Sequence, residues 1–133
     1  MGVNAPREHQ RVITRLSGEL YYLYKTGMIP FEPFSETMID DGKTSPTPDI
    51  ILLDNETDKN VVIVEITTTI GEKNDFEKVK DLVERYDVKE GFTYNYKKGT
   101  WRKYRRGTGE VKDDASYCDV IGYDLNALLK SPF

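Results

Sequence analysis

The sequence predicts a mixed α/β (α+β) domain, a central mixed β-sheet flanked by helices. Two short branched-aliphatic runs, Asp49–Leu53 and Val61–Ile66, have the length and composition of buried strands. Helical periodicity brackets them, over residues 6–25 before and about 74–86 after, and residues 91–106 alternate like a further hairpin. Helix, strands, helix, strands, with no internal repeat or linker, describes one domain over residues 1–133. A chain of this length buries roughly two-thirds of its unfolded surface around one core.

In the first helix Val12, Ile13, Leu16, Leu20, Leu23 and Tyr24 recur at helical spacing, and Gly27 with Pro30 ends it. Residues 31–39, with Phe34 and Met38 among polar neighbours, read as an edge strand. Residues 40–48 are turn-forming, and Pro46 and Pro48 favour an extended approach to the next strand. The all-polar connection 54–60 makes the two aliphatic runs a hairpin. If it is symmetric about Thr57, Leu53 opposes Val61, Ile51 opposes Ile63, and Asp49 opposes Glu65. The second helix starts with a capping box, Asn74 as cap and Glu77 three residues on, and shows Phe76, Val79, Leu82, Val83 and Tyr86 on its apolar face. Phe92, Tyr94 and Tyr96 then alternate on one strand face before a Lys98-Gly99 turn, with Trp101 opposite Tyr96. Residues 107–114 form a polar loop, Tyr117–Ile121 a last short strand, and Asp124 caps a terminal helix ending at Leu129.

Composition excludes several classes of function. No apolar run approaches the roughly 18 residues of a membrane span, and residues 1–15 lack the apolar stretch of a secretory signal. The lone Cys118 has no partner for an internal disulfide, which with the missing signal points to a reducing cytoplasm. A single histidine argues against a His-rich zinc site or a Ser-His-Asp triad. The net charge of −4 gives no global attraction to nucleic acid, so such binding needs a local patch.

Asp49 and Glu65 stand out because each carboxylate interrupts an apolar run. Directly opposed side chains on one sheet face have Cβ atoms roughly 4.5–5.5 Å apart, and two like charges there repel, more strongly once desolvated. A divalent cation offsets that repulsion; Mg²⁺ is held by one or two carboxylates with water and substrate phosphate. A one-residue slip would put the two acids on opposite faces, so the register decides the matter.

Pro48-Asp49, then Glu65-Ile66-Thr67, then a helix starting Asp75-Phe76-Glu77-Lys78 resemble the PD-(D/E)xK nuclease superfamily, the restriction endonuclease-like fold. More narrowly, the chain looks like the Uma-two branch of restriction endonucleases. His9, Ile13 and Leu16 in the opening helix, Asp75, Lys78 and Tyr86 in the second, and Glu90-Gly91-Phe92 carry that likeness, which covers about residues 8 to 129. The resemblance implies a Mg²⁺- or Mn²⁺-dependent endonuclease that hydrolyses DNA phosphodiester bonds. Asp49, Glu65 and the backbone carbonyl of Ile66 would bind the metal, which stabilises phosphate charge and lowers the pKa of an attacking water. The fold commonly dimerises so that two sites cut two strands, though the residues do not specify it.

This sequence departs from the parent motif at its third position, where Thr67 replaces a lysine. A hydroxyl supplies no positive charge, so the alternative is a catalytically inactive module binding nucleic acid or protein. On the second helix Asp75 falls within the core-facing arc and Lys78 on its rim. Lys78 is therefore the candidate replacement, as against a lysine snorkelling beside Asp75.

Three further sets of residues have two readings each. Glu19 lies at the margin of the first helix's apolar face, where nucleases of this fold place an extra acidic metal ligand; pairing with Arg15 at i−4 is the plainer meaning. His9, in the apolar arc, reads as a packed, hydrogen-bonded histidine or as an active-site contact. Residues 97–106 hold Arg102, Lys103, Arg105 and Arg106 among their bases, with two aromatics and no acid. They suit DNA phosphate contacts and base stacking, or equally a charged edge strand that discourages aggregation.

Overall fold

The computed structural model describes residues 6–37, 39–40 and 46–132. Helix α1 (Arg7–Lys25) leads into β1 (Phe31–Ser35), and β2 (Ile50–Asp54) and β3 (Lys59–Thr67) form the central hairpin. Helix α2 (Glu72–Arg85) crosses to β4 (Glu90–Asn95), which continues into β5 (Thr100–Arg105) and β6 (Gly109–Val111). The six strands lie in sequence order in one sheet, parallel only at β3–β4 and antiparallel elsewhere. The predicted mixed sheet flanked by helices is thus present.

Alternation along the strands sorts the core into two layers. Ile50, Leu52, Val64, Ile66, Phe92 and Tyr94 pack with the buried stripe of α1, Val12, Ile13, Leu16, Leu20 and Leu23. Ile51 and Ile63 pack on the other face with Val79, Leu82 and Val83 of α2. The β3–β4 pair needs a crossover because parallel strands cannot be joined by a tight turn, and α2 supplies it. At Gly91 that helix comes so close that an added Cβ would lie 2.4 Å from Val79 Cγ1 and 2.8 Å from Val83 Cγ2.

Local details differ from the expectations. The edge strand stops at Ser35, because Glu36 takes a left-handed φ of 51° and donates its N–H to the Asp49 carbonyl at 2.9 Å. Met38, assigned to that strand, lies outside the described residues. In the central hairpin Ile51 opposes Ile63 as expected, but Leu53 opposes Asn60, since a bulge between Leu52 and Leu53 leaves Val61 as the extra residue of β3. Val61 and Val62 consequently both join the α1-side core despite being adjacent.

Asn74 is not a cap. Helix α2 begins at Glu72 after Gly71, whose carbonyl accepts the first helical bond from Asp75 N at 2.9 Å. The second hairpin turns through four residues, because the Asn95 side chain accepts from the Lys97 and Lys98 amides (3.0 and 3.2 Å). Trp101 therefore faces Tyr94, not Tyr96, with ring centroids 4.6 Å apart. Part of the supposed loop 107–114 is β6, so β6 and not β5 forms that sheet edge. The last strand is shorter than expected: β7 (Tyr117–Cys118) pairs with β8 (Tyr123–Asp124) in a separate ribbon. Asp124 does cap the terminal helix α3 (Leu125–Leu129), its carboxylate accepting from Asn126 N at 3.0 Å.

Candidate active site

The site lies where β2 begins and β3 ends. The register Ile50↔Val64 is the one the symmetric hairpin required, so the bulge, being further along, leaves Asp49 and Glu65 on one face. Asp49 sits just before β2, where its Oδ2 accepts the Ile66 amide at 2.7 Å and closes the end of the ladder. Glu65 is 5% exposed. Burial first, and the neighbouring Asp49 carboxylate second, push the Glu65 carboxyl up from 4.5 to about 8, with Lys78 opposing both.

Helix α2 places Lys78 over this pair. Its Nζ lies 2.9 Å from Glu65 Oε2. Partial burial acts to lower the Lys78 pKa, but the Glu65 carboxylate, with smaller help from Asp49 and Asp75, outweighs it and holds the ammonium charge. The residue on the rim of the predicted apolar arc thus reaches the carboxylates.

Thr67, in the motif lysine's position, is 2% exposed and donates its hydroxyl to the Thr68 carbonyl at 3.2 Å. It is part of the brace that starts α2. Gly71 N donates to Thr68 Oγ1 at 3.2 Å, and Asn95 Nδ2 reaches Thr69 Oγ1 at 3.2 Å and Glu72 Oε1 at 2.9 Å. Gly71 is packed here too, because a Cβ on it would stand 3.2 Å from Thr67 Oγ1 and 3.3 Å from Asp75 Oδ2. Asn95 was not singled out in the sequence, where its only signal is a polar residue ending an apolar strand.

His9 joins the site from the other face of the sheet, with Nε2 3.4 Å from Asp49 Oδ2. Its Nδ1 is buried without a hydrogen-bond partner among the described residues. Both sequence readings of His9 are therefore combined, a packed histidine that touches a candidate metal ligand. Glu19 lies elsewhere, half-buried on α1 and ten residues beyond His9, about 15 Å along the helix axis. No Arg15–Glu19 ion pair forms.

The basic residues of β5, and Arg106 just after it, are engaged internally, those of the strand divided between its two faces. Arg102 stacks 4.0 Å over the Phe76 ring and grips Glu110 with two hydrogen bonds of 3.0 and 2.9 Å. Lys103, 2% exposed, reaches the Tyr117 carbonyl at 2.6 Å, Asp119 at 2.8 Å and Glu90 at 3.3 Å. Arg105 pairs with Glu90 and Asp119, and Arg106 with Asp87 and the carbonyls of Val83 and Glu84.

The comparisons bear on the fold. A solved structure from Anabaena variabilis ATCC 29413, described as a putative nuclease belonging to DUF820, superposes with a TM-score of 0.70 over 93% of this chain and 83% of that one. The two are 15% identical. DUF820 is the Uma-two type of restriction endonuclease-like protein, so the fold is the one the sequence resemblance implied. No family model matches the chain, and no curated protein matches it. No helix among the described residues is long and apolar enough to cross a membrane.

Proposed function

We propose that the protein is a metal-dependent endonuclease that hydrolyses DNA phosphodiester bonds. The observation that carries this reading is the Lys78 ammonium held 2.9 Å from Glu65 beside Asp49, a cation and two acids at one strand end. The donor set fits a hard divalent cation, Mg²⁺ or Mn²⁺. Glu65 Oε2 is buried without a hydrogen bond, although Lys78 is within ion-pair distance, and burial first and the Asp49 carboxylate second raise its pKa. No group of three or more His, Cys, Asp or Glu side chains converges among the described residues. Two carboxylates, the Ile66 carbonyl and water would thus form the set, as suits Mg²⁺. When bound, the metal supplies Lewis-acid stabilisation of phosphate charge and a more acidic water.

The remaining roles fall to the chain. His9 and the Ile66 amide orient Asp49. Lys78, held beside Glu65, would place its positive charge on the phosphate, the task the motif lysine performs elsewhere in the superfamily. Plasmid nicking in Mg²⁺ or Mn²⁺ tests the chemistry, and the same metals should raise the melting temperature of wild type but not of an Asp49→Ala, Glu65→Ala variant. Absence of metal-dependent cleavage of every DNA form would sink the enzymatic claim.

Thr67 favours a second reading, a catalytically silent module that binds nucleic acid or protein, because its hydroxyl is spent on the Thr68 carbonyl. Equal DNA binding by wild type and Lys78→Ala, with neither cutting, would support it.

A further inference from the structure

The ion pairs leave the chain's positive charge unevenly available. The β5 cations are consumed internally, whereas Arg15 and Lys130, both exposed, carry no ion pair among the described residues. These two line one cavity of about 400 Å³ between α1, the β4–β5 turn and the end of α3. That volume falls in the roughly 300–1,000 Å³ range of ligand pockets. Arg11 is a third base in its wall and Glu8, paired with Arg11, the only acid among the described lining residues, so positive charge is in excess there in a protein of net charge −4. Tyr94 and Tyr96 provide an aromatic wall.

The cavity abuts the candidate site. Glu8 precedes His9, which touches Asp49, and Tyr96 donates its N–H to the carbonyl of Thr67 at 3.1 Å, two residues past Glu65. Arg15 lies about 9 Å from His9 along the helix axis. At about 3.4 Å per stacked nucleotide, that is a span of two or three nucleotides.

We propose that this cavity holds a flanking segment of the nucleic-acid strand, with Arg15 and Lys130 on its phosphates and Tyr96 against a base. The inference rests on the nuclease reading and deepens it. It gives the strand a path across the sheet end, from Lys78 on the α2 side, over Asp49 and Glu65, to the α1 side. A strand of anionic phosphates and flat aromatic bases suits a wall holding both cations and tyrosines better than an isolated anion does.

Fluorescence anisotropy of a labelled single-stranded DNA oligonucleotide, with the full chain in EDTA, tests this without cleavage. An Arg15→Gln, Lys130→Gln variant should bind more weakly and flatten the plot of log affinity against log salt by roughly 1.4, about 0.7 per lost phosphate contact. Tyr96→Leu should weaken binding roughly 5- to 150-fold, the usual range for a stacked base, with the slope unchanged. Lys25→Gln, Lys89→Gln removes the same charge at exposed sites outside the cavity and should change neither. Equal loss in that control, wild-type binding by the cavity variants, no binding by wild type, or displacement by millimolar inorganic phosphate would each overturn the proposal. Failure to cleave DNA in Mg²⁺ or Mn²⁺ would instead overturn the nuclease reading and leave the binding result standing.

Discussion

Glu65 is where sequence and environment conflict most. A carboxylic acid at the end of a β-branched strand would ordinarily be solvated, yet the sheet, α2 and Asp49 enclose it. Its folded pKa of about 8 stands above its unperturbed value of 4.5. The neutral form is therefore the one the metal-free fold prefers. The contribution to stability is complete below pH 4.5 and is lost as pH rises toward about 8, an effect on the order of a few kcal/mol. In EDTA, the wild-type melting temperature should fall across that window, and Glu65→Gln should show a flatter profile; parallel profiles would contradict the assignment. Lys78→Met leaves the two acids in place and removes the ammonium paired with Glu65. Cleavage should drop roughly 10²–10³-fold, as when one preorganised electrostatic group is lost, while calorimetry still detects metal binding.

At the scale of elements, the position of α2 decides whether Lys78 reaches Glu65. Gly91 permits the close approach of that helix, and its value lies in having no side chain, since Val79 and Val83 fill the space. Gly91→Ala should destabilise the fold by about 1–3 kcal/mol through overpacking. Because the strain lifts α2 off the sheet, cleavage at a temperature where the variant remains folded should fall as well. A melt combined with a rate measured well below the transition separates the two effects. The sequence exposed much of this arrangement. Apolar spacing located α1 and α2, and the polar connection around Thr57 placed Asp49 opposite Glu65. It concealed the bulge, because Val61 looks like any other strand residue, and the true start of α2, because Asn74-Glu77 matches a capping box while Gly71 and the threonines before it look like loop. Strand β6 was hidden for a simpler reason: Gly109-Glu110-Val111 has one apolar residue and no period to detect.

The whole molecule is joined at its far side by a buried ionic cluster. Lys103 and Glu90 are each 2% exposed, and the Lys103 ammonium links β4 and β5 to Tyr117 and Asp119 of the carboxy-terminal segment. Glu90 also accepts from the Val120 amide at 3.2 Å and the Cys118 thiol at 3.3 Å. The thiol's pKa is raised, first by burial and then by that carboxylate. Reading residues 97–106 as a basic patch missed this, because the acids that neutralise it are distant in sequence and meet it only in the folded sheet. Lys103→Met should cost about 3–5 kcal/mol by leaving Glu90 short of a partner in the interior. Urea denaturation measures that loss, and a Lys103→Met, Glu90→Gln double variant should recover part of it. The salt dependence of DNA binding should be unchanged by either.

The bulge in the central hairpin separates two mechanical jobs. Between Ile50 and Leu52 the register sets the spacing of the acids, whereas beyond Leu53 the strands shift by one and run out to the exposed turn 55–58. Changes in the turn are absorbed at the irregularity before they reach the acids, so this tip is the place to open the chain for circular permutation or to graft a reporter peptide without disturbing the chemistry at the other end.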